Sequence, residues 1–537
     1  MPESLAAQKI RVASELKSAR GTWESHWQEI GDRMYPRKAD FTVDRSPGEK
    51  RNRLVYDSTA IIAAETLASG LHGMLTNPAT QWFQLAAEDQ ALNQVRDVQV
   101  WLEIANRVMT AEFNRPEAGF SAAMHEDYME YGTFGTSVTF VFEHPSRRGV
   151  LFQARPLAEC YCMENESGHI DTIYRKFKWT VRQVVSKWGL KNVSEATRKK
   201  YESKRQNEKI EILHVMEPRK ERDQTKKTAA HKPFTDTYIE VTAKHILSDG
   251  GFDEQAGFAS RFYKGSMEIY GRSPGTAVLQ DVKMLNEMYK VTLKIAQKMA
   301  DPPLMVPDDG FLNPVRTVPG GINTYRAGSP DRIEAFPTPN NVPIQLEMMN
   351  EVRERISKAF FIDQLQLQQG PQMTATEVMQ RTEDKLRLMG PVLGRIQTEK
   401  LGPMIDRVFA ILMRQGLIPD PPQALSGANL KVEYVSPLAR AQKQLEAQGI
   451  IRTIEVMAPF VEADPNIMHR INGDRMLEHV GIELFGIDPT LLRSEEETAA
   501  LRQQAQQKQE LAEGIQGAEV MARTARDVSQ AQATSRG

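Results

Sequence analysis

Residues able to catalyse a reaction or to bind a metal are scattered through this sequence. The two cysteines, Cys160 and Cys162, are poorly placed in a predicted strand to bond to each other, and they are too few for a four-cysteine zinc site. Each of the ten histidines, His125 and His469 among them, is expected to be an ordinary surface or core residue. The phosphate-binding loop GxxxxGK(S/T) and the GxGxxG, HExxH and GxSxG motifs do not occur. We therefore predict no catalytic residue, no metal and no cofactor.

A helix with clearly marked ends carries a stripe of lysines. Ser273 is a good N-cap and Pro274 suits the first helical position, whereas Pro302 and Pro303 stop the helix. Apolar residues recur at helical spacing between these ends, which predicts a helix about 40 Å long from Pro274 to Ala300. The lysines on its other face are Lys283, Lys290, Lys294 and Lys298.

An uncharged, glutamine-rich loop lies between two further predicted helices. The first helix runs from about Ile344 to Asp363, and a capping box of Thr374 and Glu377 opens the second, which ends near Gln415. Two Gly-Pro steps in the second helix predict two kinks, because each proline removes one helical hydrogen bond. The loop residues are Gln364, Gln366, Gln368, Gln369, Gly370, Pro371, Gln372 and Met373, and the kink residues are Gly390, Pro391, Gly402 and Pro403.

A basic segment precedes the long helix. Residues 171–232 contain 18 Lys or Arg against 8 Asp or Glu. This excess marks either a solvated charged surface or a site for an acidic partner or DNA phosphates, and spacing alone does not decide between them. Predicted strands at Ile210–Met216, Tyr238–Val241 and His245–Leu247 place 220–232 at an exposed hairpin tip. The basic residues near this tip are Arg219, Lys220, Arg222, Lys226 and Lys227.

The remaining patterns predict a multi-domain α+β protein that is mainly helical. Its 537 residues exceed one ordinary domain, and 68 Lys and Arg against 70 Asp and Glu give no global attraction to nucleic acid or membrane. No apolar run approaches the roughly 20 residues that span a bilayer, so we expect a soluble chain. Predicted helices occupy Leu5–Met34 with a break near Gly21, Thr59–Leu75, Val95–Phe113 and Phe120–Tyr131, and predicted strands occupy Ser137–Phe142, Val150–Ala154 and Glu159–Met163.

This order of segments resembles the head-to-tail connector, or portal, proteins of short-tailed double-stranded DNA phages. The resemblance rests on Tyr270-Gly-Arg-Ser-Pro274 with the helix that follows, on the helix, loop and capped helix of Glu351 to Lys385, and on the block from Ala68 to Leu85. It covers nearly the whole chain to about Leu492. It implies a ring, typically of about twelve copies, at one capsid vertex, through which DNA is packaged and later ejected.

The resemblance also implies a division of the chain into wing, stem, clip and crown. Residues 1–170 would form the N-terminal wing and 171–273 the basic, β-rich clip, with a first stem helix near Thr180 to Tyr201. Residues 274–301 would be a stem helix, and 302–435 would return to the wing with the channel loop at 364–373. Residues 436–537 would form a helical crown with a Gln-rich tail.

The implied partners are other copies of the chain, duplex DNA without sequence specificity, the terminase packaging motor, tail adaptor proteins, and the major capsid and scaffolding proteins, with no membrane. The protein would be assembled in the host cytoplasm and reside in the virion. The alternatives are a packaging-pathway enzyme, such as a nuclease or ATPase, and a ring adaptor that never contacts DNA.

In a ring, each lysine of the long helix becomes part of a belt of charge. The belt would face DNA in the channel, or the lysines would pair with acids such as Asp281 or Glu287 of a neighbouring copy, and the sequence leaves both uses open. Glutamines dominate the channel loop, which favours a steric or hydrogen-bonding gate over electrostatic gripping.

Overall fold

The structure is a computed structural model. It describes residues 4–46, 48–223, 225–226, 228–305, 315–317, 324, 334–335, 342–365, 389–427, 429–435, 449–453, 455–456, 473, 476, 480–481, 497–505 and 507–508. The described part is α+β and mainly helical, as predicted. It divides into two units, Met1–Trp82 with Met109–Leu417 and Phe83–Val108 with Ile418–Gly537.

Most of the helices lie in the first unit. The predicted break near Gly21 separates the first two helices, and Thr59–Leu75 forms the helix that the sequence predicts. The helices are α1 (Leu5–Ala19), α2 (Gly21–Met34), α3 (Thr59–Leu75), α4 (Arg96–Phe113, which begins in the second unit), α5 (Phe120–Phe134), α6 (Val181–Trp188), α7 (Glu195–Glu202), α8 (Pro274–Ala300), α9 (Val342–Ala359), α10 (Ile362–Leu365) and α11 (Gly402–Arg414). Residues 389–396 are helical and lead through a π-helical turn, Gln397–Leu401, into α11.

The strands are β1 (Phe83–Ala87), β2 (Thr136–Glu143), β3 (Val150–Arg155), β4 (Cys160–Glu164), β5 (Ile170–Thr180), β6 (Lys209–Met216), β7 (Phe234–Glu240), β8 (His245–Phe252), β9 (Gly257–Arg261), β10 (Leu304–Met305), β11 (Glu334–Ala335) and β12 (Leu430–Tyr434). Their pairings are antiparallel and form sheets of order β4-β5-β6-β7-β8, β3-β2-β9, β10-β11 and, in the second unit, β1-β12.

Both faces of the five-stranded sheet are covered within the first unit. On one face Tyr161, Tyr174 and Leu213 pack with residues of α1. On the other face Phe177 and Ile212 pack with residues of α6. The side chains of each strand enter these two cores in turn, because successive side chains of a strand point to opposite faces.

The second unit has its own small sheet. The Asn106 side chain accepts from the Leu85 N–H at 2.7 Å and donates to the Leu85 carbonyl at 3.3 Å, which ties α4 to β1. The Trp101 indole N–H donates to the Pro419 carbonyl at 2.9 Å. These side chains satisfy backbone groups that the sheet leaves unpaired.

The structure corrects three predictions from sequence. A single helix near Thr180 to Tyr201 is wrong, because Gly189 has a φ of 80° and separates α6 from α7. The helix predicted to Asp363 ends at Ala359, and Phe361 has a φ of 59°. Strands β1, β5 and β9 were not predicted. Strands β4 and β5, on either side of the predicted wing–clip boundary at 170, pair with each other in one sheet.

Candidate functional site

The long helix α8 begins where the capping pattern predicts. The Ser273 hydroxyl accepts from the Thr276 N–H at 3.0 Å and donates to the Thr133 carbonyl at 2.6 Å, so the cap also joins α8 to α5. The Gly271 N–H donates to the Thr136 hydroxyl at 2.8 Å. A Cβ on Gly135 would lie 2.4 Å from the Gly271 carbonyl oxygen, which explains why both positions are glycine. The Tyr-Gly-Arg-Ser-Pro motif therefore positions the start of α8.

The first half of α8 is anchored in the core of the first unit. Val278, Val282 and Leu285 are buried. The Asn286 amide oxygen accepts from the N–H groups of Tyr56 and Asp57, at 2.6 and 3.0 Å. These contacts fix the direction in which the rest of α8 extends.

From Glu287 to Ala300 the helix has no buried residue. Its partner is the start of α9, which runs antiparallel to it, as the Thr292 to Gln345 hydrogen bond and the Arg355 to Asp281 ion pair show. Beyond them, β10 pairs with β11. We call residues 287–300 of α8 and 344–348 of α9 the exposed helix pair. Its exposed apolar side chains are Tyr289, Val291, Leu293, Met299, Ile344, Leu346 and Met348.

The four lysines of α8 have different surroundings. Lys283 forms an ion pair with Glu29 of its own chain. Lys290 lies 3.2 Å from Glu287, one turn earlier, and 6.0 Å from the centre of the Tyr56 ring. Lys294 and Lys298 are exposed, and neither forms an ion pair with any residue that the structure describes. In this respect they differ from Lys283 and Lys290, which are paired with described acids.

Only the start of the predicted channel loop falls within the described residues. Gln364 lies in α10, and its buried amide oxygen has no hydrogen-bond partner among the described residues. The other loop residues, from Gln366 to Met373, lie outside the described residues, as does the capping box of Thr374 and Glu377. The loop therefore stays a prediction.

The two predicted kinks lie in different environments. Gly390 and Pro391 are exposed, and a Cβ on Gly390 would meet nothing within 4 Å. Gly402 and Pro403 follow the π-helical turn, a feature that often marks functional segments of helices. The structure thus places one step at the surface and the other beside the core.

Two successive residues of the π-helical turn form buried ion pairs. Glu399 accepts from the Arg261 guanidinium at 2.7 Å and from the Arg261 N–H at 2.9 Å. The Lys400 ammonium is fully buried and donates to Asp127 and, at 2.7 Å, to the Ser137 hydroxyl. Burial lowers the pKa of Lys400, against the raising effect of Asp127. Sequence spacing gave no signal for these pairs, because the partners are more than 130 residues apart.

About half of the described Lys and Arg residues of the basic segment form ion pairs with acids of the same chain. Pairs such as Lys176 with Glu211 and Lys232 with Asp253 lie at 3.0 and 2.9 Å. Arg219 donates to the carbonyls of Ala230 and Gly250, and its contact with a partner stays a prediction. Lys226 pairs with Asp223 at 3.2 Å, Lys220 and Arg222 are exposed, and Lys227 lies outside the described residues.

The two cysteines lie in the core of the first unit. Cys160 and Cys162 are both free and buried, and burial raises the pKa of the Cys162 thiol to about 12. A thiol with so high a pKa is a poor nucleophile. Among the described residues there is no group of three or more His, Cys, Asp or Glu side chains arranged to hold a metal ion. None of the helices searched there is long and apolar enough to cross a bilayer.

Comparison with known proteins identifies the family. A family model for the bacteriophage head to tail connecting protein matches residues 6–492. The chain therefore belongs to the family of bacteriophage head-to-tail connecting, or portal, proteins.

Two relatives match over most of their length. The portal protein of Salmonella phage epsilon15 is 29% identical over 542 aligned residues, which cover 99% of this chain and 97% of the relative. The probable portal protein of Bordetella phage BPP-1 is 31% identical over 508 residues, which cover 93% and 91%.

Proposed function

We propose that the chain assembles into a ring at one capsid vertex, that double-stranded DNA enters and leaves through this ring, and that the ring docks the packaging motor and then the tail. The protein is then a non-enzymatic component of the virion. Its proposed partners are its own copies, duplex DNA, the terminase motor, tail adaptor proteins, and the capsid and scaffolding proteins. Family membership supports this role, and the exposed helix pair is the structural observation that carries it.

The exposed helix pair is poorly suited to an isolated chain. Val291 and Leu293 are 41% and 46% exposed on α8, and Ile344 is 61% exposed on α9. Apolar side chains grouped on one projecting element indicate an interaction surface. Copies arranged around an axis would bury these residues against one another and would place α8 as a stave of the channel wall.

The same observation changes the proposed position of the stem and the docking end. The five-stranded sheet packs against α1 on one face and against α6 on the other, so it fits the wing better than the clip. Helices α8 and α9 form an antiparallel pair that leaves the core, as a two-helix stem requires. We therefore propose that the motor and tail dock at the far end of this pair, beyond the pairing of Leu304 with Ala335.

Ion pairing within the chain favours a channel-facing role for Lys294 and Lys298. The acids first considered as partners across a subunit boundary are already engaged, Asp281 with Arg355 at 3.4 Å and Glu287 with Lys290 at 3.2 Å. Lys294 and Lys298 then form belts of charge that attract the DNA backbone without sequence preference.

The test is DNA content of heads assembled with and without this chain. Heads that lack the chain should contain no nuclease-protected genome, and supplying the chain from a plasmid should restore filling. Heads that fill equally well without the chain would overturn its proposed role as a DNA conduit and would indicate an adaptor. ATP hydrolysis or DNA cleavage by the purified chain, lost in a point variant, would overturn the non-enzymatic role.

A further inference from the structure

A row of polar and aromatic side chains crosses the five-stranded sheet beside α6. Arg175 of β5 is opposite His214 of β6, and His214 is opposite Tyr238 of β7. Residues opposite one another in paired strands point to the same face of a sheet. The His214 and Tyr238 rings are stacked with centroids 4.2 Å apart, so the row is packed into one continuous surface.

Lys187 of α6 lies above this row. Its ammonium is 4.2 Å from the centre of the Tyr238 ring, 4.7 Å from that of Trp188 and 5.2 Å from that of Trp179. Lys187 itself is exposed, and the two tryptophans are half-buried. Aromatic faces attract a cation and hold it in place without neutralising it.

Arg155, at the end of β3, brings a third cation to the same place. Its Nη2 donates to Gln153 of its own strand, and its buried Nε has no hydrogen-bond partner among the described residues. Burial and the charge of Arg175 lower the pKa of the Arg155 guanidinium to about 10. Glu159 attracts Arg155 only from a distance, and no described acid forms an ion pair with it.

The nearby acids are committed to other groups. Glu159 accepts from Arg175 at 2.8 Å, and Asp236 is bonded to His214 at 2.8 Å. Three cations thus share two carboxylates, and no ion pair joins a described acid to Arg155 or Lys187. We call Arg155, Arg175 and Lys187, with the rings of Trp188 and Tyr238, the cationic crevice.

We propose that the cationic crevice binds a carboxylate side chain from an acidic, apolar segment of a partner protein. A carboxylate would accept hydrogen bonds from Arg155 and attract Lys187, and apolar neighbours in the segment would pack on the tryptophans and on exposed Leu190. Duplex DNA fits less well, because its binding needs rows of exposed cations that follow successive phosphates. That this partner is one of the proteins docking on a portal rests on the proposed function, whereas the crevice itself does not.

The test measures binding and stability together. A fluorescein-labelled peptide of alternating glutamate and leucine is titrated with the full-length chain at physiological salt, and anisotropy is recorded. The same peptide with glutamine in place of glutamate, and a labelled 20-base-pair duplex, serve as competing probes. We expect the glutamate peptide to bind most tightly. Tighter binding of the duplex, equal binding of the glutamine peptide, or no binding of the glutamate peptide would overturn the proposal.

The decisive variant is Arg155→Met. It should weaken binding of the glutamate peptide by at least about tenfold, the loss of one charge-assisted pair. Its Tm should equal or exceed that of the unchanged chain, because a charge without a carboxylate partner has been removed. Arg155→Lys should keep most of the binding. A lower Tm with unchanged binding would show a structural role and overturn the proposal.

Arg182→Met is the matched control, since Arg182 is an exposed arginine of α6 outside the crevice. It should change neither binding nor Tm, and a tenfold loss of binding in this variant would also overturn the proposal. Because the assay needs only the folded chain, it can succeed even if no ring forms, and the two proposals can fail separately.

Discussion

At the residue scale, the buried ion pair between Lys400 and Asp127 fixes the π-helical turn to α5. Both side chains are fully buried, and Asp127 also accepts from the hydroxyls of Ser137 and Thr139, at 2.8 and 2.6 Å. A buried pair of this kind contributes little net stability, but the loss of one member leaves the other charge uncompensated.

We predict that Lys400→Met destabilises the chain by about 3–5 kcal/mol, because Asp127 becomes a buried charge without a cation. Thermal unfolding at pH 7 would show a clear fall in Tm. Adding Asp127→Asn should recover much of the loss. Lys358→Met, which removes an exposed lysine, should change the Tm little. A small effect of Lys400→Met, equal to that of this control, would contradict the assignment.

Glu130 makes stability depend on pH. Burial raises the pKa of its carboxyl to about 7, against the lowering effect of Lys38. A carboxyl whose folded pKa is raised favours the folded state at low pH, and this contribution is lost as the pH rises through 7. As the pH rises from 5.5 to 8.5, the Tm of Glu130→Gln should therefore rise relative to the Tm of the unchanged chain. The exposed Glu126, 3.6 Å from the same lysine, supplies the control Glu126→Gln. A Tm difference constant with pH would refute this prediction.

At the scale of elements, the two Gly-Pro steps are expected to behave differently. From Val392 onward the helix is anchored in the core. The Val392 carbonyl accepts from the Tyr131 hydroxyl at 3.1 Å, and Arg407 donates to the Val141 carbonyl at 2.9 Å. The step at Pro391 precedes this anchored segment, whereas the step at Pro403 lies within it. Movement of the loop should therefore bend the helix at Pro391.

We predict that Pro391→Ala changes genome packaging or retention while rings still form, because a continuous helix resists bending. Pro403→Ala is the comparison, and its effect should be smaller. Nuclease-protected DNA per particle measures both. Normal packaging by Pro391→Ala, or an equal defect in the two variants, would count against a single hinge.

The lysines of α8 allow a second test at this scale. We predict that the double change Lys294→Gln and Lys298→Gln leaves ring assembly intact but weakens the salt-sensitive attraction of the ring for DNA, because two belts of charge are lost. DNA retention at several salt concentrations is the measurement. Lys283→Gln, in which the removed lysine is paired with Glu29, should change retention less. Rings that fall apart in the double variant would instead place these lysines between subunits.

At the scale of the whole molecule, local signals were readable from sequence and long-range ones were not. The bounds of α8 were predicted because Ser273, Pro274 and Pro302 act on their own neighbours. Strand β5 was missed, although it pairs with β4 just before it in the chain, because its sequence mixes charged residues with apolar ones.

The same contrast applies to the candidate site. The lysine stripe of α8 was visible as a helical pattern, but the engagement of Lys283 was not, since Glu29 lies 254 residues away. The cationic crevice combines β3, β5, α6 and β7, and no spacing in the sequence brings those elements together. Charge counts along 171–232 gave an excess without showing which residues were neutralised.

Electron microscopy of the purified full-length chain is the sharpest test of the proposed DNA conduit. We expect a closed ring of about twelve copies, with α8 around a central hole wide enough for duplex DNA and the exposed apolar residues of α8 and α9 buried between neighbours. A stable monomer under all conditions, or a ring whose hole is too narrow for duplex DNA, would contradict it.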